Sequence, residues 1–196
     1  VGSFMFAGCV SILPDPVPAP SIYRLQIDQP IVEAFENAAT IRVDRPAAST
    51  YYQTKDIVVS PDGRRLATAS GAEWAEVIPT MVQQSLVSAM ATSPNVIGLI
   101  PTTGARTETR VHLSIRQFEA KFDRGETGAP LAVVYYDVTL SDASTRDLRA
   151  TYSTRKTVRA DAARVSSIVS ALEEANQAAM SDIVRWLEQS SSKTSS

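Results

Sequence analysis

The chain has a single cysteine, Cys9, and a single histidine, His112. One thiol cannot close an internal disulfide, so the fold has no covalent staple of its own and cysteine usage selects no redox compartment. One imidazole excludes a histidine-based metal cluster and would leave any catalytic triad dependent on that ring. Its setting in the alternating stretch RVHLSIR predicts a solvent-facing or sheet-packed histidine. Long apolar runs are missing too: nothing approaches the roughly 18 residues of a membrane-spanning helix. A formal net charge of -2, with Lys and Arg scattered along the chain, supplies no basic stripe and argues against nucleic acid as a partner. There is no P-loop, no glycine-rich dinucleotide fingerprint and no G-x-S-x-G elbow. The paired carboxylates, Glu173 with Glu174 and Asp44 with Asp56, read as solvated surface charges rather than as an acid and a base. Trp74 and Trp186 stand among apolar neighbours at helical spacing, as core or rim anchors rather than ligand-stacking rings. These gaps predict a protein that is not an enzyme, with no catalytic residues, cofactor or metal.

What is present begins with FMFAGCVSILPDPVPAP, residues 4–20. A secretory signal ends in an apolar run and a small-residue cleavage site, and residues 1–8 read as the end of such a segment. Phe6, Ala7, Gly8 and Cys9 resemble a bacterial lipobox, in which the cysteine sulfur receives a diacylglycerol; Phe6 departs from the usual aliphatic residue. The competing reading of Cys9, a buried thiol acting as a small hydrophobe, sits badly beside Pro14, Pro16, Pro18 and Pro20. Those prolines favour an extended path and make residues 9–21 a semi-rigid spacer.

The remainder, at 44% hydrophobic content over the chain, suffices for one core and one domain, residues 22–188. Period-two alternation predicts strands in SIYRLQI (21–27), TIRV (40–43) and YYQTKDIVV (51–59). SPDG (60–63) predicts a turn into RRLATAS and hence a hairpin. From Trp74 the period becomes helical, through Ile78, Met81, Val82, Leu86 and Ala89, with Pro79 confined to the first turn and an end near residues 92–94. NVIGLI reads as a short buried strand. Three long strands over about 107–122, 131–140 and 147–159 should form an antiparallel meander, the second central. Val111, Leu113 and Ile115 alternate on one parity and Phe118, Ala120 and Phe122 on the other, which predicts a bulge at Arg116 or Gln117. In the third strand Leu148, Ala150 and Tyr152 are expected inward, with Arg149, Thr151, Ser153 and Arg155 outward. Asp161 is placed to cap a last helix whose stripe runs from Val165 to Leu187, and residues 189–196 should be a disordered tail. The fold class is α/β with α+β character: a mixed, largely antiparallel sheet packed by two main helices.

The order of these features resembles the ABC-type transport auxiliary lipoproteins. The likeness is carried by the lipobox with Cys9, by YRLQI, by YYQTKDIVV followed by RRLATASGAEWAEVIPTMVQQSLVSAM, and by the meander and long helix ending in RWL. It implies a fold similar to the amino-terminal domain of TolB. It also implies an acylated protein of the outer membrane, facing the periplasm, that works with an inner-membrane ABC permease and ATPase and a mammalian-cell-entry (MCE) substrate-binding protein in moving lipids. Cys9 carries over as the acylated anchor. Many Gram-negative lipoproteins stay in the inner membrane through an aspartate after the acylated cysteine; here that sorting position is Val10. Self-association stays open, as do two rivals: a structural envelope lipoprotein binding peptidoglycan or an outer-membrane protein, and a periplasmic enzyme.

Overall fold

The computed structural model describes residues 19–26 and 31–192. Its spine is a 13-residue strand, β7 (Thr109–Lys121), followed by β8 (Leu131–Asp142) and β9 (Leu148–Arg159) in an antiparallel meander. The β7–β8 register slips between Ile115 and Gln117, leaving Arg116 as the extra residue of a bulge. The slip brings Val111, Leu113 and Ile115 before it, and Phe118 and Ala120 after it, onto one buried face. At the β8–β9 turn Arg146 adopts a left-handed φ of 66°, and Asp142 Oδ1 accepts the backbone N–H groups of Ser144 and Thr145 at 2.8 and 3.0 Å.

The other edge of β7 is met in succession by three short parallel strands: β2 (Ala39–Val43), β3 (Ala47–Ala48) and β4 (Asp56–Ser60). Outside β2 lies β6 (Val96–Leu99). Outside β4 lie β5 (Ala67–Trp74) and β1 (Ser21–Tyr23). The sheet is therefore mixed, and its antiparallel ladders carry most of the paired residues. The β4–β5 hairpin turns at SPDG, where Gly63 takes φ 75° and Asp62 Oδ1 accepts from the backbone N–H of Arg64 and Arg65.

Helix α1 (Ile78–Met90) carries Pro79 in its first turn, where no intrahelical N–H is needed, and the Ile78 N–H is taken by the Thr54 carbonyl at 3.0 Å. Helix α2 (Val165–Ser192) packs on β8, β9 and α1 through Ile168, Leu172, Ala179, Ile183 and Leu187. Inside this layer the Tyr136 hydroxyl donates to Asn176 Oδ1 at 2.7 Å, a buried polar pair joining sheet to helix. Burial pushes the Tyr136 phenol well up.

Several expectations are corrected. The first strand keeps its parity, with Tyr23 and Leu25 packed on the core and Ile22 exposed, but pairs over only three residues. Thr50–Tyr52 form a 3-10 turn and pairing starts at Asp56, because the Tyr52 hydroxyl is drawn to Glu119 at 2.6 Å and Thr54 turns back on Asp56. Trp74 ends β5 rather than opening α1. In β9 the register slips at Arg149, so Leu148 loses the inward parity of Ala150 and Tyr152 and is 64% exposed. Asp161 lies in a bend four residues before α2 and does not cap it. The helix continues past Leu187 through Ser192, into the segment expected to be disordered.

Candidate functional site

Cys9 and Val10, the anchor and sorting residues expected from the sequence, lie outside the described residues, as do Pro14, Pro16 and Pro18. The chain enters the described domain at Ala19. It is fastened by the β1–β5 ladder, by the Ala75 N–H donating to the Tyr23 carbonyl at 2.6 Å, and by the Gln26 N–H donating to the Glu173 carboxylate. Glu173 is thus a clasp for the entering segment, whereas its neighbour Glu174 faces solvent.

The other candidate carboxylates do not converge. Asp44 is held between Arg42 Nε, at 3.0 Å, and the Arg110 guanidinium, whose Nε lies at 2.7 Å. Asp56 is hydrogen-bonded to Thr54 at the start of β4. Asp44 lies beside Val111 and Asp56 about six residues further along β7, roughly 20 Å away at ~3.3 Å per residue. His112 faces Thr139 on the side of β7 away from the core, and Ser114 and Asp137 share that face. They form no relay: Asp137 is taken by Ser153 at 2.8 Å and Arg116 at 3.2 Å, and the His112 imidazole has no hydrogen bond among the described residues. Trp74 is fully buried with its ring 5.9 Å from Phe118, edge to face, and Trp186 stacks on Tyr152 at 5.5 Å, so both are packing residues.

Two features went unseen in the sequence. The first is Glu119, 3% exposed, which accepts from Tyr52 at 2.6 Å and from Gln117 at 3.2 Å; burial, and then this bond, pushes the Tyr52 phenol up. The bulge at Arg116 turns Phe118 and Ala120 to the core face and leaves Glu119 on the other, where the Tyr52 hydroxyl from a distant segment meets it. The second is a pair of adjoining clefts where β2 starts and α2 ends, of 410 and 590 Å³, with Asn37, Ala38, Ala39 and Ser191 as a common wall. Arg106 and Glu108 rim the first cleft; Phe35 and Glu188 rim the second. These residues come from segments far apart in the chain, so no local motif announces them. The available signal was IVEAF (31–35), three large apolar side chains left without an assigned element.

Comparison with known proteins supplies the family. The model of the ABC-type transport auxiliary lipoprotein component matches residues 23–184, most of the chain. The chain belongs to this family. Among solved structures, the auxiliary-lipoprotein fold seen here is similar to that of XCC0632 from Xanthomonas campestris, at a TM-score of 0.78 and 19% identity over 89% of this chain and 99% of that one. A second crystal structure, of an uncharacterized protein, aligns at a TM-score of 0.69 and 14% identity, covering 87% and 99%. The hypothetical protein CT253 from Chlamydia trachomatis aligns at 0.50 and 7%, covering 77% and 96%. No curated protein matches the sequence. As an auxiliary lipoprotein the chain is a component of ABC-type transport, and among its described residues no helix is long and apolar enough to cross a membrane.

Proposed function

We propose that this chain is a non-enzymatic accessory lipoprotein, anchored through Cys9 in the outer membrane and facing the periplasm. There it completes an ABC and MCE-type system that moves lipids or other hydrophobic compounds between the two membranes. The observation that carries the reading is the family match over residues 23–184, which begins just after a cysteine-led, proline-rich stretch. Three supports stand beside it. Among the described residues, the carboxylates Asp44 and Asp137 are tied into pairs with arginines and a serine. The domain packs around one core, as a binding or bridging module needs. The chain enters that domain at an edge strand, where a spacer can leave without threading the fold.

The test uses two substitutions at the anchor. A single amino-terminal acyl modification is what would hold the domain at a bilayer, so Cys9→Ser, expressed with its full export signal, should leave the membrane pellet. Val10→Asp should keep acylation and folding but move the protein to the inner membrane in a density gradient, and should lose crosslinking to the MCE partner. A Cys9→Ser protein that still pellets with membranes lacking partners overturns the anchor. Full resistance to membrane stress in a deletion strain carrying inner-membrane Val10→Asp protein overturns bridging from the outer membrane.

A further inference from the structure

We infer that the adjoining clefts at the end of α2 form a binding site for one molecule of a zwitterionic amphiphile, a lipid whose head carries a phosphate and an ammonium. The inference rests on the proposed role in lipid movement and names where in this chain the cargo is held.

Charge sets the head group. Arg106, on the rim of the 410 Å³ cleft, is exposed and forms no hydrogen bond or ion pair among the described residues, so its guanidinium is open to a phosphate. The second cation there, Arg149, is already committed to Asp142 at 2.8 Å. Glu108 on the same rim and Glu188 in the neighbouring 590 Å³ cleft supply negative charge for an ammonium. The Glu188 carboxylate is oriented by Ser93 and by Asn95 at 3.1 Å, so one acceptor is fixed before a ligand arrives. With one uncommitted cation and two carboxylates along the adjoining clefts, a purely anionic head is matched at one point and repelled at two.

Apolar surface sets the tail. Ile31, Val32 and Phe35 are 83%, 37% and 57% exposed, three large apolar side chains within five residues. Phe35 itself rims the second cleft, so the ledge continues out of it. The ledge is held in place: the Val32 N–H donates to the Ala91 carbonyl at 3.0 Å, and the Phe35 N–H to that of Pro94 at 2.8 Å. Ala38 and Ala39 in the common wall keep the passage between the clefts clear of bulk. A head across the small-residue wall and an acyl chain along residues 31–35 together satisfy both halves of the surface.

The test titrates the full chain carrying Cys9→Ser with dihexanoylphosphatidylethanolamine below its micellar concentration, following backbone amide shifts by NMR. Saturable shifts are expected at Asn37, Ala38 and Ser191. Arg106→Glu and Phe35→Ser should each weaken binding at least tenfold, about 1.4 kcal/mol. Arg64→Glu, in the hairpin turn at the far end of β7, should not. Dihexanoylphosphatidylglycerol, which lacks the ammonium, should bind more weakly. Shifts spread over other faces, indifference to Arg106→Glu, equal affinity for both head groups, or binding to phospholipid vesicles without binding of the monomeric lipid each overturn the site. In cells, loss of transport with Cys9→Ser but full transport with Arg106→Glu removes the site and leaves the proposed role standing. Full transport with Cys9→Ser removes the role.

Discussion

Trp74 offers a measurement in which two opposing energies can be separated. Its indole is fully buried at the end of β5, edge to face with Phe118, and its Nε1–H has no acceptor among the described residues. Trp74→Ala should cost about 3–5 kcal/mol, as large-to-small core changes do. Typical domains have only ~5–15 kcal/mol in total. At ~2–4 °C per kcal/mol for a domain of this size, the melting temperature should fall by about 6–20 °C. Trp74→Phe behaves differently. It keeps an aromatic edge for Phe118 and opens a smaller void, costing about 1–2 kcal/mol, while it removes an N–H whose unmet burial costs about 1–3 kcal/mol. The two nearly cancel, and Trp74→Phe should lie within about 1 kcal/mol of the parent. Urea unfolding followed by far-ultraviolet circular dichroism, with Trp186 as the remaining fluorophore, gives both values from the midpoints if the m-values agree. If Trp74→Phe loses as much as Trp74→Ala, the indole N–H has a partner in solution and the cancellation is wrong. A loss below about 1 kcal/mol for Trp74→Ala would remove Trp74 from the core altogether.

Tyr136→Phe should cost about 1–3 kcal/mol by leaving Asn176 Oδ1 buried without a donor, and the double change Tyr136→Phe with Asn176→Leu should recover most of it in the same unfolding assay. Asp182 is held below the usual carboxylate range first by its hydrogen bond from Lys156, so the tie between α2 and β9 is intact above the unfolded value of about 3.9 and is lost as pH falls through the lower folded value. The stability gap between the parent and Asp182→Asn should accordingly be present at neutral pH and close below about pH 4 in a series of urea titrations.

The fold was most legible where one periodicity ran long enough to decide. The meander, its bulge at Arg116 and the stripe of α2 follow from alternation or from the 3.6-residue repeat over ten or more positions, and the SPDG hairpin from its turn residues. Boundaries failed where a single side chain outweighed the local pattern. Tyr52 leaves the alternation of YYQTKDIVV to reach Glu119, 67 residues away, and no window on the sequence contains both. Leu148 departs from its expected parity because the register slips at Arg149, which reaches back across the five-residue turn to Asp142. The parallel pairing of β2, β3 and β4 with β7 was not legible, since short strands carry no mark of their partner. Of the candidate site, the proposed anchor is a reading of adjacent residues that lie outside the described ones, whereas the end clefts exist only after residues near 37, 106 and 190 are brought together.

The edge position of β1 has a mechanical meaning. Any pull arriving along the chain from its amino-terminal side reaches the domain through three paired residues and the clasp between Gln26 and Glu173. Those contacts sit at the margin of the sheet and bear load before the β7 spine does. Peeling Ser21–Gln26 away frees about 20 Å of extended chain at ~3.3 Å per residue. Among the described residues the fully buried core cluster takes no member from that stretch, and only Tyr23 and Leu25 pack against it, so a pull would lengthen the chain by stripping two partly buried side chains before it reaches the core itself.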